Sequence, residues 1–382
     1  MKKGVKAMKI GVPKEVKVEE YRVGLSPNSA RELINLGHQV FVERGAGLGI
    51  NFLDSDYRTV GVTILDTAEE IFAEAEMIVK VKEPQASEYS LLKEGQILFT
   101  YLHLAPDPVQ AEALINSGCI AIAYETVTAS DGTLPLLAPM SQVAGRLSIQ
   151  VGAHCLEKHA GGSGILLGGV PGVYAGKVAV IGGGVVGINA VRMALGKGSE
   201  VTVLDKSLNR LQELDLQFNG RLNTAYSTHA AIEEHVSQAD LVIGAVLVPG
   251  KSAPKLVTKS MLKLMKPGSV IVDVAIDQGG SIETSHATTH VDPTYVVDDI
   301  VHYCVANMPG AVPRTSTLAL NNATLPFVVT LAQKGWKLAL KEDEHLRNGL
   351  NVCFGQVTHP GVAVELEKPC QQALEAIAHH AQ

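Results

Sequence analysis

Nothing in this chain supports a disulfide framework: its five cysteines, at 119, 155, 304, 353 and 370, are odd in number and irregular in spacing. That usage fits buried thiols in a reducing compartment, and the lack of any C-x-x-C pair removes the usual mark of structural zinc. Basic charge is also scarce. With 32 Lys and Arg against 39 Asp and Glu, the formal net charge is -7, and without a long basic tract there is no footprint for nucleic acid, although a small anion needs only local positive charge. The opening MKKGVKAMKIGVPKE is basic but lacks the continuous apolar region of a secretory signal, so a cytoplasmic location is expected. The most apolar stretch, residues 165–191, is broken by glycines and Lys177, which suits a buried core and not a membrane span. There is no repeat of solenoid period. The histidines at 154, 159, 229, 235, 286, 290, 302, 345, 359, 379 and 380 form no metal-ligand pattern, so no metal is expected.

What is present is an α/β rhythm. The 382 residues are too many for one ordinary core and enough for two. Short apolar strands at 9–12, 38–42, 76–81, 97–103 and 119–124 alternate with helical patterns near 27–36, 68–75 and 108–116, which predicts a largely parallel sheet. Ser26 and Pro27 read as cap and first residue of a helix. A longer helical stretch, about 141–158, suits a connector between domains, with Ser141 as its capping serine, and the glycines of 161–176 follow it. Next comes Val178-Ala-Val-Ile-Gly182-Gly-Gly184-Val-Val-Gly187, an apolar strand entering G-x-G-x-x-G. Gly182 permits a tight turn, Gly184 lets a pyrophosphate approach the backbone, Gly187 lets the helix pack close, and the helix amides face the phosphates. A second strand, 201–204, ends in Asp205, where an acid accepts both ribose hydroxyls of NAD and repels the extra phosphate of NADP. Further strands are expected at 224–226, 241–245 and 269–275, with a sixth within 295–302. A helix begins near Thr315, bent or ended by Pro326, and the first domain recovers residues from the C-terminal stretch.

In parallel sheets ligands bind beyond the carboxyl ends of strands, so ionisable groups there deserve weighing. Lys80 and Lys82 close one strand and point the same way if it stays regular, either toward a ligand or as solvated edge charges. His103 leaves the next strand, placed to exchange protons or to serve as a strand cap. Arg22, within Glu19-Glu20-Tyr21-Arg22, offers a fork to a carboxylate or an ion pair to a neighbouring glutamate. Asp277, before Gly279 and Gly280, either meets a ligand or caps a turn. Asp273, inside a strand, favours a structural hydrogen bond. Asn307 is an amide contact or a turn bond, Glu125 orients a basic group or is solvated, and Met140 and Met308 read as hydrophobic walls.

Arg22, Lys82, His103, Gly182 and Asp277 together resemble bacterial alanine dehydrogenase. The likeness runs through GVPKE at 11–15, VKVKEP at 79–84, QILFTYLHL at 96–104, AYET at 123–126, PLLAPMS at 135–141 and VANMP at 305–309. It covers about residues 9 to 375; the extension before Met8 departs from it. The resemblance implies two Rossmann-like domains with parallel sheets, an NAD-binding domain (139–308, with the connecting helix) inserted into a discontinuous substrate domain (1–138 and 309–382). It implies closure on ligand and a homohexamer, with no nucleic-acid or membrane partner. It assigns Arg22 and Lys82 to the substrate carboxylate, His103 and Asp277 to acid/base chemistry, and Ser141, Asp205, Asn307 and Met308 to the cofactor or interdomain site beside the glycine turn. The implied reaction converts L-alanine, NAD and water reversibly to pyruvate, ammonium and NADH. The nearest rival is the NAD-binding subunit of a proton-translocating transhydrogenase; a saccharopine or lysine dehydrogenase relative and an NAD-responsive interaction protein are more distant alternatives.

Overall fold

A computed structural model of the chain describes residues 7–246 and 253–379. Residues 1–6 of the N-terminal extension and His380 lie outside the described residues. The chain divides into two compact units, Met1–Pro139 with Val312–Gln382, and Met140–Ala311. In chain order the first six strands are β1 Lys9–Val12, β2 Gln39–Glu43, β3 Thr63–Leu65, β4 Met77–Val79, β5 Ile97–Thr100 and β6 Ile120–Ala123. The second unit holds β7 Lys177–Ile181, β8 Glu200–Asp205, β9 Asn223–Tyr226, β10 Leu241–Gly244, β11 Val270–Asp273, β12 Thr294–Val297 and β13 Ile300–Tyr303. Two short strands, β14 Leu350–Cys353 and β15 Gln356–Val357, return to the first unit.

The sheet orders are β15-β14-β6-β5-β4-β1-β2-β3 and β12-β13-β11-β10-β7-β8-β9. Each contains six parallel strands in the doubly wound order, reversing between the first and fourth strand of its unit: β1 and β4 in one, β7 and β10 in the other. This is the Rossmann-like α/β class anticipated above. Strands β4, β5, β6, β10 and β11 are buried at every position, as strands covered by helices on both faces must be. The antiparallel pairs sit at the edges: β14 joins β6 and β15 joins β14, while β12 joins β13.

Several boundaries depart from the sequence pattern, each for a local reason. The connector is the helix Ala138–Cys155, so Ser141 lies inside its first turns and does not cap it. Pro139 explains the earlier start, since a first turn needs no amide there and gains from the fixed φ. Lys158 belongs to a separate 3-10 turn, Lys158–Ala160. The expected strand 76–81 ends at Val79 and that at 97–103 ends at Thr100. The strand expected to reach residue 275 gives way to a 3-10 helix, Val274–Gln278. There the fully buried Asp273 accepts from the amides of Ala275 (3.2 Å), Ser281 (2.9 Å) and Ile282 (3.2 Å), pulling the chain out of the sheet. The sixth strand is a hairpin, turned at Asp298 and Asp299 with φ of 48° and 61°. Pro326 does not end its helix, which runs Pro313–Lys334; the Thr330 hydroxyl donates to the Pro326 carbonyl at 2.8 Å. Ser26 does cap the first helix, its hydroxyl accepting from Ser29 at 3.2 Å, with Pro27 next.

Four of the five cysteines are buried and Cys370 is exposed; all are free thiols. Among the described residues no helix is long and apolar enough to cross a membrane.

Candidate functional site

In the first unit the exits of β5, β4 and β1 lie side by side, at the reversal where an open parallel sheet leaves its ligand crevice. The segment after β1 carries Arg22, almost wholly buried at 2% exposure. Its Nε donates to Glu20 Oε1 at 2.7 Å and its Nη2 to Glu20 Oε2 at 2.6 Å, the bidentate pair left open by the sequence. Burial works against the guanidinium charge, but Glu20, then Tyr101 and Glu15, outweigh it and raise the group further. A guanidinium has five donors, and this fork engages two of them while fixing its plane.

Beyond β4 the two lysines part company. Lys80 is fully buried, so it is no solvated edge charge: its Nζ lies 2.7 Å from Glu88 Oε1 and 3.3 Å from Glu15 Oε2. Burial opposes the ammonium, yet Glu15 and Glu88 outweigh it and raise Lys80, while burial raises Glu15 against the pull of Lys80. Two carboxylates share one ammonium, and Glu15 is the member pushed toward holding a proton. Glu15 also accepts the amides of Val81 (2.7 Å) and Lys82 (3.4 Å), and the Lys82 carbonyl accepts from the Thr100 hydroxyl at 2.9 Å. The backbone of Lys82 is thereby held on both sides. Its ammonium stands 3.5 Å from Glu83 with 13% of the side chain exposed. Burial pushes the Glu83 carboxyl up, but Lys82 and Lys17 overcome this and hold it down at about 2.

His103, past the end of β5, is exposed and sits in the left-handed region with φ of 48°. That conformation costs a non-glycine residue roughly 1–2 kcal/mol. Glu125 holds it there by accepting the amides of His103 (2.6 Å) and Leu102 (3.3 and 3.2 Å). Glu125 thus fixes the histidine's backbone; it neither orients a basic side chain nor stands idle in solvent. The imidazole stacks on Tyr101, centroids 5.8 Å apart and planes within 10°. Tyr101 is itself tied to the Leu136 carbonyl at 2.5 Å, and burial raises its phenol well above the usual range.

In the second unit the glycine turn leaves β7 at the other reversal point. Gly182 has φ of 104°, and a Cβ there would lie 2.8 Å from the Ala245 carbonyl oxygen beyond β10. A Cβ on Gly187 would lie 1.8 Å from the Gly182 oxygen, whereas one on Gly184 would meet nothing within 4 Å. The middle glycine therefore opens onto free space at the N-terminus of the helix Val185–Gly196, where no side chain caps the amides. A pyrophosphate fits such a place: the backbone can be approached closely and the helix end favours negative charge. Asp205, at the end of β8, accepts from Gly183 N at 2.7 Å and Ser207 N at 2.8 Å. Each oxygen retains acceptor capacity for a ribose hydroxyl. Arg210 Nε donates to the Gly183 carbonyl at 2.6 Å and its Nη1 to Glu213 at 2.8 Å, bracing the same turn.

Past β11, Asp277 is exposed on the 3-10 helix Val274–Gln278, and its Oδ1 accepts the Asn307 amide at 3.2 Å. The structure therefore brings Asp277 and Asn307 together, and the capping of Asp277's own turn falls to Asp273. Asn307 adopts φ of 62° and its carbonyl accepts from Gly310 at 2.8 Å. Met308, at 2% exposure, is buried in the following 3-10 helix, and Ser141 is half-buried on the connector. Sequence reasoning missed Gly145. It lies four residues beyond Ser141, and a Cβ there would sit 2.2 Å from the Val186 oxygen, so the connector packs directly on the helix that starts at the turn. A glycine inside a helix was the available signal.

Residues 11–144 match the family described as alanine dehydrogenase/PNT, N-terminal domain, and residues 148–360 match its C-terminal domain. The chain belongs to the alanine dehydrogenase/PNT family. A Halomonas elongata protein named alanine dehydrogenase is 61% identical over 93% of this chain and 96% of its own. A solved structure titled L-alanine dehydrogenase superposes with TM-score 0.92 at 53% identity, covering 94% of this chain and 99% of that one. The transhydrogenase branch is represented by a structure from Sinorhizobium meliloti, TM-score 0.80 at 27% identity over 92% of this chain and 99% of that one.

Proposed function

We propose that this chain is an NAD-dependent L-alanine dehydrogenase, converting L-alanine, NAD and water reversibly to pyruvate, ammonium, NADH and a proton. The observation that carries the reading is the position of Arg22, Lys82 and His103 beyond the adjoining strands β1, β4 and β5, each held by its own carboxylate: Glu20, Glu15 and Glu125. The names borne by relatives on both the sequence and the structure side support the substrate.

In this reading Arg22 and Lys82 bind the carboxylate of alanine or pyruvate, and Lys82 also contacts the reacting carbonyl or amine. Positive charge held in a fixed plane contributes mainly orientation and electrostatic stabilisation. Bound nicotinamide supplies hydride acceptance and return at Cα. His103 exchanges protons as water adds to the imine of pyruvate and as the resulting carbinolamine expels ammonia. Asp277 assists that proton traffic or holds the amine or water. The cofactor is held by Gly182, Gly184 and Gly187 at its pyrophosphate and by Asp205 at its ribose, with Ser141, Asn307 and Met308 contributing contacts. The proposal extends to a cytoplasmic homohexamer. Purified protein is expected to reduce NAD with L-alanine and to oxidise NADH with pyruvate plus ammonium. Bound NAD with no turnover in either direction sinks the proposal in favour of the transhydrogenase-subunit reading.

A further inference from the structure

We propose that the end of the connector helix carries a surface site for a divalent transition metal, Zn2+ or a close analogue, formed by His154, Glu157 and His159. His154 is the penultimate residue of the helix Ala138–Cys155, Glu157 precedes the 3-10 turn Lys158–Ala160, and His159 is the centre of that turn. Their ligand atoms all lie within 4.8 Å of one another. Glu157 Oε2 is 3.6 Å from His154 Nδ1 and 3.4 Å from His159 Nδ1. Zinc bonded to nitrogen and oxygen at about 2.0–2.1 Å in a tetrahedron sets its ligand atoms about 3.3 Å apart. These two separations are therefore close to tetrahedral edges, and the two rings, centroids 5.3 Å apart at 63°, do not stack flat against each other. Two imidazoles and a carboxylate make a borderline-soft donor set suited to zinc and unlike the all-oxygen sets of calcium or magnesium.

The backbone under these side chains is built and not incidental. Cys155 and Leu156, between the first two ligands, are buried at 3% and 0% exposure and pin the turn to the unit. The Glu157 carbonyl accepts the amides of Ala160 and Gly162, both at 3.1 Å, and Ser163 N donates to the Gly268 carbonyl at 2.9 Å. Gly161 takes φ of 93°, and a Cβ on Gly162 would lie 2.3 Å from the Cys155 oxygen. The three Cα positions are thus fixed, so that binding orders only the side chains. The Cys155 thiol is no fourth ligand, since it is buried in the unit and its sulfur is not among the clustered ligand atoms. A solvent molecule completes the sphere, because all three side chains are more than half exposed, at 62%, 54% and 69%.

The competing account is that Glu157 merely pairs with protonated histidines. Isothermal titration of ZnCl2 into the full-length wild-type chain, the H154A/H159A double variant and E157Q separates the two. The wild type is expected to take up one equivalent per chain more than the double variant, and E157Q to weaken that step by more than about a hundredfold, beyond the usual loss of an outer-shell partner. Uptake of that equivalent releases protons, so its affinity falls on acidification. Loading with Co2+ in place of zinc should give the intense visible bands of a tetrahedral site in the wild type alone. Equal zinc stoichiometry in wild type and double variant, with both folded by circular dichroism, overturns the site.

Discussion

At the scale of single residues, the charged groups of the first unit fall into two sets that the sequence does not separate. Lys80 and Lys82 differ by two positions, yet one is locked between Glu15 and Glu88 and the other stands at the strand exit beside Glu83. Removing one partner of a buried ion cluster costs about 3–5 kcal/mol because uncompensated charge remains. Lys80→Met leaves Glu15 and Glu88 facing each other in a buried site, and a urea-unfolding loss of that order is expected; a loss under about 1 kcal/mol would show that the cluster takes up a proton or water instead. His103 is a contrasting case, since its side chain is exposed and its backbone is fixed by Glu125. His103→Ala should therefore fold normally, retain NAD binding by calorimetry and lose alanine turnover by at least about a hundredfold, the usual scale of general acid/base catalysis. Normal turnover in that variant would refute the proton role.

Among elements, the strand β7, the glycine turn and the helix Val185–Gly196 form the most tightly determined stretch of the second unit. Gly187→Ala puts a methyl group 1.8 Å from the Gly182 oxygen, so the helix must move off the strand. The expected result is a loss of NAD affinity of at least about tenfold with the first unit's protection in hydrogen exchange unchanged; wild-type affinity would mean that the turn does not carry the cofactor. This stretch was legible because glycine spacing and apolar runs are local signals. The strand exits were less so. Asp273 converts the expected end of β11 into a 3-10 helix through amides as far away as Ile282, and the hairpin after β12 turns on two aspartates where glycine is the usual signal. The helix through Pro326 also escaped, because local propensity counts the proline's cost and not the tertiary contacts that outweigh it. At the site, the charged side chains could be nominated from strand ends, but Glu15, Glu88 and Glu125 could not be given partners. Each acts on residues assembled by the sheet order, and composition carries no trace of that.

For the whole molecule, both units use the same strand order around a reversal point, and they differ in what they place there: buried carboxylates holding cations in one, glycines and free helix amides in the other. Both units also hold histidines that favour the neutral form. Burial lowers His38 and His359 in the first unit and His302 in the second below the ordinary 6.5. His302 is the clearest case, wholly buried with Nδ1 2.9 Å from the Ile300 carbonyl and Nε2 2.8 Å from the Thr284 hydroxyl. A carbonyl only accepts, so Nδ1 carries the proton and Nε2 accepts from Thr284. Because these folded-state values lie below the unfolded one, the unfolded chain binds protons first as pH falls. The stabilisation is complete above about 6.5 and is lost progressively below it, through the lowered folded-state values. His302→Gln, which can donate and accept but cannot take a proton, should lose less melting temperature than the wild type between about pH 7 and about pH 5. If the two melting curves shift in parallel over that range, His302 is not a source of the acid sensitivity, and His38, His359 and the carboxylates must account for it.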